Sequence, residues 1–119
     1  LGRALPEAER RALVAGLLLH AHARERLDRG DSSEETGRVL ALAEEALSIP
    51  DPSFMARVDN APLLLIDVCW HALCVRDPAR LSSCAERLAR AREGLERAHG
   101  RDLERLPRGP GGRRPPPPP

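Results

Sequence analysis

Leu40-Ala41-Leu42-Ala43-Glu44-Glu45-Ala46-Leu47 returns, at an offset of 48 residues, as Leu88-Ala89-Arg90-Ala91-Arg92-Glu93-Gly94-Leu95. Leu, Ala, Ala, Glu and Leu recur in register, and each copy follows a longer, more apolar stretch. An alanine at a close contact lets a neighbouring helix approach, and a leucine one turn on fills the groove beside it. The pattern therefore predicts two helical hairpins, each closed by one copy of the motif.

Working outward from the two copies, helix signals bound four main segments. The first runs from Pro6 to Arg29, with Pro6 in the opening turn and Gly30 as the C-terminal cap. Leu13, Val14, Leu17, Leu18, Ala21 and Leu27 are its expected buried face. The second runs from Ser33 to Ser48, with a Ser32/Glu35 capping box and a buried stripe of Leu40, Ala43 and Leu47. Gly37 weakens its first turns by about 1 kcal/mol relative to Ala. Pro50 and Pro52 break the chain, and a short helical turn is expected over Ser53 to Val58.

The third helix starts at a cap at Asp59 or Asn60, carries Pro62 in its first turn and ends near Val75. It is apolar nearly all round, which marks a central helix, and Asp67 and His71 form its polar strip. The fourth is expected to run unbroken from the Asp77-Pro78 start to Gly100. Its buried stripe is Leu81, Cys84, Leu88, Ala91, Leu95 and Ala98, with Glu86–Arg90 and Glu93–Arg97 paired outside. The fold class expected is all-α: four main helices as two antiparallel hairpins, a tetratricopeptide-like helical repeat over residues 1–106. The 48-residue offset exceeds the 34 residues of a standard unit, so a longer loop, Ser48 to Asn60, joins the hairpins. Residues 107–119 contain only Pro, Gly and Arg, and a disordered, partly polyproline II tail is expected there.

Composition agrees with a helical core. Phe54 and Trp70 are the only aromatic residues, so Leu, Ala and Val must fill the interior. All 19 basic residues are arginine, the formal net charge is +1, and opposite charges alternate along the helices. That pattern argues against nucleic acid or a membrane surface as partner. Cys69, Cys74 and Cys84 are an odd set without CxxC spacing, which suits reduced, buried thiols in an intracellular protein of the nucleus or cytoplasm. Arg10-Arg11 before Ala12–Leu19, with Ala21-His22-Ala23 beyond, imitates a signal peptide. Glu7 and Glu9 and the amphipathic pattern on both sides argue against that reading, and with Leu1 as its first residue the segment is expected to be internal to a longer protein. No apolar run approaches the ~20 residues of a membrane span.

Several constellations carry candidate chemistry. Asp67, His71 and Cys74 stand at i, i+4 and i+7 on one helix face, the order of a carboxylate–imidazole–thiol relay. Groups stacked along one helix rarely converge on a substrate, so a hydrogen-bonded strip beside a buried thiol is the reading preferred and no enzyme is expected. His20 and His22 point to different sides of their helix, and Cys69 and Cys74 have poor ligand spacing, so neither a metal nor a cofactor is expected. Gly109 to Gly112 lack the strand and helix of a phosphate loop. The 3-4 spacing of the fourth helix offers an alternative function, a self-associating structural bundle. Arg113-x-x-Pro116-x-x-Pro119 has the form of a weak SH3-domain ligand.

Four blocks together resemble a known family. They are Arg11-Ala-Leu-Val-Ala-Gly-Leu-Leu-Leu-His20 with Ala21 to Leu27; Leu42-Ala-Glu-Glu-Ala-Leu47; Val58-Asp-Asn60 with Leu63-Leu-Leu-Ile-Asp67 and Trp70; and Ala91 to Leu103. The set is similar to the central helical region of the Nedd ultimate buster family, negative regulators of ubiquitin-like proteins. The resemblance implies an adaptor that brings conjugates of a ubiquitin-like, neddylation-type modifier to the proteasome. It also implies that binding resides in a ubiquitin-like domain and ubiquitin-associated domains outside these residues, so it assigns no binding residue here. His71 and Ala72 stand where the family pattern has aromatic residues.

Overall fold

The structure, a computed structural model, describes residues 5–99. Six helices and no strand are present among them: α1 (Glu7–Asp28), α2 (Glu34–Leu47), α3 (Pro52–Met55), α4 (Asn60–Val75), α5 (Pro78–Ser82) and α6 (Cys84–His99). The all-α expectation therefore stands. The expectations for Gly100 and for the tail, residues 107–119, lie outside the described residues, as does that for the Ala98 side chain.

The helix ends follow from local chemistry. Gly30, at φ 82°, ends α1 in the left-handed conformation that glycine adopts without strain. Gly30 N–H donates to Leu27 O at 2.9 Å and Asp31 N–H to Arg26 O at 2.8 Å, a Schellman closure. The cap of α2 is Ser33, one residue later than the expected Ser32: Ser33 Oγ accepts from Thr36 N–H at 3.3 Å. Asp31 decides this, because its Oδ1 accepts the Ser33 N–H at 2.9 Å and turns the chain one residue later. The short turn of helix is Pro52–Met55, capped by Asp51, and not Ser53–Val58.

The expected fourth helix is two. Ser82 Oγ donates to Ala79 O and Ser83 Oγ to Arg80 O, each at 2.8 Å. Hydroxyls that bond back to carbonyls compete with the backbone ladder, and the helix breaks at Ser83.

Packing is pairwise. α1 lies along α2, α4 along α6, and α2 and α4 join the two pairs, with α1 also touching α4. The main core holds Ala23, Leu27, Leu40, Ala43, Leu47, Met55, Leu64 and Val68, and a smaller cluster joins Cys69, Ala72 and Cys84. The stripe Leu40, Ala43 and Leu47 is buried as expected. Small residues set the closest approaches: a Cβ on Gly16 would stand 2.5 Å from Leu47 Cδ2, and one on Gly94 3.3 Å from Pro62 Cβ.

Three expected faces are corrected. On α1 the buried residues are Gly16, His20, Ala23 and Leu27, whereas Val14, Leu18 and Ala21 are exposed. The helix turns its small residues inward because α2 approaches there. On α4, Leu73 and Val75 are exposed while the supposed polar strip, Asp67 and His71, is buried at 2% each. On α6, Leu88 is exposed and Arg87 faces α2 instead. Arg92–Glu96, at 3.6 Å, is an i,i+4 pair on this helix.

Candidate functional site

Two features concentrate polar chemistry or open space: a set of buried histidine contacts around α4, and a groove between α2, α3, α4 and α6.

His20 of α1 is fully buried, and its Nε2 lies 2.7 Å from Asp67 Oδ2 of α4. A carboxylate only accepts, so Nε2–H donates. Arg24 Nε stands 3.8 Å from the same oxygen and adds positive charge from the solvent side. His20 Nδ1 has no hydrogen-bond partner. With the proton on Nε2, Nδ1 is a bare lone pair, which is less costly to bury than an orphaned N–H.

His71 sits one turn further along α4 and is held at both ring nitrogens. Arg80 Nη1 lies 2.8 Å from Nδ1, and Nε2 lies 2.9 Å from Ser33 O. A guanidinium has no acceptor, so Nδ1 accepts from Arg80 and Nε2–H donates to the Ser33 carbonyl. The ring thereby ties the start of α2 to α4 and α5. Gly37 makes room for it: a Cβ there would stand 2.6 Å from His71 Cε1.

The candidate relay Asp67–His71–Cys74 is therefore not a connected chain. Asp67 turns to His20 and His71 to Ser33 and Arg80. Reading the sequence missed all three partners: His20 and Ser33 are 47 and 38 residues away, and Arg80, nine residues on, lies on a separate helix. One signal was available: a lone aspartate inside an otherwise apolar helix must find a charged or hydrogen-bonding partner.

Two of the thiols, Cys69 and Cys84, are buried against backbone carbonyls. Cys69 Sγ contacts Cys84 O at 3.7 Å, and Cys84 Sγ contacts Arg80 O at 3.3 Å. Burial, with the Cys84 thiol beside it, pushes the Cys69 thiol up to about 12. Thiolate chemistry is correspondingly disfavoured there. His22 is exposed, on a different side of α1 from His20. Among the described residues no group of three or more His, Cys, Asp or Glu side chains is placed to hold a metal ion.

The groove has a volume of about 420 Å³. Leu47, Pro50, Met55, Pro62 and Leu65 form its apolar walls, and Gly94 opens its α6 side. Arg90 and Arg97, one on each side of Gly94 along α6, supply the charge at its edge. Among the described residues its lining includes no acidic one. Such a surface suits an apolar side chain with a carboxylate near it. Sequence reading did not find this groove, because its walls come from four separate elements.

No protein-family model, no curated protein and no solved structure matches this chain. Among the described residues no helix is long and apolar enough to cross a membrane.

Proposed function

We propose that the chain is a non-enzymatic scaffold segment of tetratricopeptide-like build, α1 with α2 and α4 with α6 as its two hairpins. By its resemblance, it belongs to an adaptor that brings conjugates of a ubiquitin-like modifier to the proteasome. The observation that carries the repeat is the matched close approach in the two helix pairs. Ala46 lies against Gly16 in the first pair, and Gly94, 48 residues after Ala46, lies against Pro62 in the second. The motif alanines Ala43 and Ala91 are likewise both buried, at 0% and 1%. Two similar units stacked through α2 and α4 make a stiff spacer between flanking domains. The buried histidine contacts serve that stiffness, since each crosses between helices. The groove adds a place where a partner segment can rest.

The test is a pull-down with two baits. One is this chain; the other is the chain flanked by a ubiquitin-like domain and a ubiquitin-associated domain. Purified neddylation modifier and proteasome are the prey. Capture by the longer bait alone is expected. Equal capture by both would refute the spacer role, and capture by neither would refute the adaptor reading.

A further inference from the structure

Arg11, Val14, Leu18, Ala21 and Glu25 follow 3-4-3-4 spacing and share one stripe of α1. The stripe faces away from Gly16, His20, Ala23 and Leu27, the residues that α1 buries. Val14 is 55% and Leu18 67% exposed, and Ala21 is exposed beside them. A single exposed leucine, such as Leu88 on α6, needs no explanation. Three apolar residues in line at the centre of a 22-residue helix do.

The charges at the two ends of the stripe say what covers it. Arg11 and Glu25 each stand seven positions from Leu18, and Glu7 and Arg29 each stand eleven positions from it. About Leu18 the order of charges is therefore antisymmetric: Glu7 and Arg11 on one side, Glu25 and Arg29 on the other. All four side chains are largely exposed.

We propose that this stripe pairs α1 with α1 of a second copy of the chain, antiparallel, about a two-fold axis at Leu18. In that arrangement Arg11 faces Glu25 of the second copy, Glu7 faces its Arg29, and both contacts occur twice. Leu18 meets Leu18, and Val14, opposite position 22, packs beside Ala21, a large residue against a small one. A parallel pairing would set Arg11 on Arg11 and Glu25 on Glu25, so charge alone selects the antiparallel orientation. The Glu7–Arg11 pair at 2.7 Å and the Glu25–Arg29 pair at 3.6 Å are kept, and each joins its counterpart across the interface. Isolated exposed pairs contribute little, whereas four linked charges hold register. The interface is self-complementary, as a two-fold dimer requires. One helix stripe buries less than the ~1,200 Å² of a standard stable interface, so the dimer is weak and depends on concentration.

The experiment is light-scattering mass determination across a dilution series of the full chain, with circular dichroism to confirm helicity. The wild type should rise from the mass of one chain towards that of two. L18E, a change at an exposed position, should keep its helicity and the mass of one chain throughout. R11E and E25R each place like charges opposite one another twice and should weaken the dimer about tenfold. The double variant R11E/E25R restores opposite charges and should return to the wild-type curve. A wild type that stays at one chain, an L18E that still associates, or a double variant no stronger than either single one overturns the proposal. If L18E lost its helicity, the charge series alone would decide.

Discussion

At the scale of single residues, the buried polar side chains carry the largest local energies. Asp67 is enclosed with His20 at 2.7 Å, and removing Asp67 leaves the His20 Nε2–H buried without its acceptor. Asp67→Ala should cost about 1–3 kcal/mol, read as a fall in thermal midpoint. The double change His20→Leu with Asp67→Leu should recover most of that loss, since an apolar pair of similar size needs no desolvation. A double variant as unstable as Asp67→Ala would show that the pair is more than mutually compensating. Gly37 tests a conflict between propensity and packing. Alanine gains about 1 kcal/mol in a helix interior, yet its Cβ would lie 2.6 Å from His71 Cε1. His71 is held at both nitrogens and cannot step aside, so Gly37→Ala should lower stability by about 1 kcal/mol in urea unfolding. Cys69 supplies a test by pH. Its thiol pKa is raised in the fold, so the neutral form is favoured and its contribution is full below the ordinary thiol range. That contribution is lost as pH rises towards about 12. At mildly alkaline pH, iodoacetamide should modify half-buried Cys74 well before Cys69, which should react only on unfolding.

Helices were legible from the sequence where a boundary rests on one or two adjacent residues. Gly30, Asp77 and the Asp59–Asn60 start of α4 act locally, and the helices begin or end beside them. The break at Ser83 is also local, but 3-4 spacing continues through it, and periodicity carried the expected helix across. The end of α4 holds a strained position that no pattern marks: Arg76 lies in the left-handed region at φ 55° and ψ 45°. That conformation costs a side-chain-bearing residue about 1–2 kcal/mol, partly offset by the larger chain entropy glycine loses on folding. Arg76→Gly should therefore raise stability by about 0.5–1 kcal/mol, and an unchanged or lower denaturation midpoint would contradict this. Which face a helix buries was less legible. Leucines and valines lie on both sides of α1, and the inward side was chosen by Gly16 and Ala23, which admit α2.

At the scale of the whole molecule, α2 and α6 are tied across the two helix pairs by one bidentate contact. Arg87 Nε and Nη2 donate to Glu44 Oε2 and Oε1 at 3.0 and 3.1 Å, and Arg87 also donates to Ser83 Oγ. Glu44 raises the Arg87 pKa further, so the guanidinium stays charged. The side chains are 21% and 30% exposed, so solvent screens part of the attraction. Glu44→Gln should cost about 1 kcal/mol, and exchanging the two charges should regain most of it, as urea midpoints at constant slope would show. The sequence by itself determined that the described residues are helical, where α1 ends and where α4 and α5 begin, and that Leu40, Ala43 and Leu47 face inward. Those properties depend on propensity, caps and periodicity within a few residues. Tertiary structure alone decided that Asp67 and His71 are core residues, that α1 leaves Val14 and Leu18 outside, and that four elements enclose a groove. Each of these depends on which distant side chain supplies a hydrogen bond or leaves space for a neighbour. Separations of 38 and 47 residues in the chain leave no local trace of such pairings.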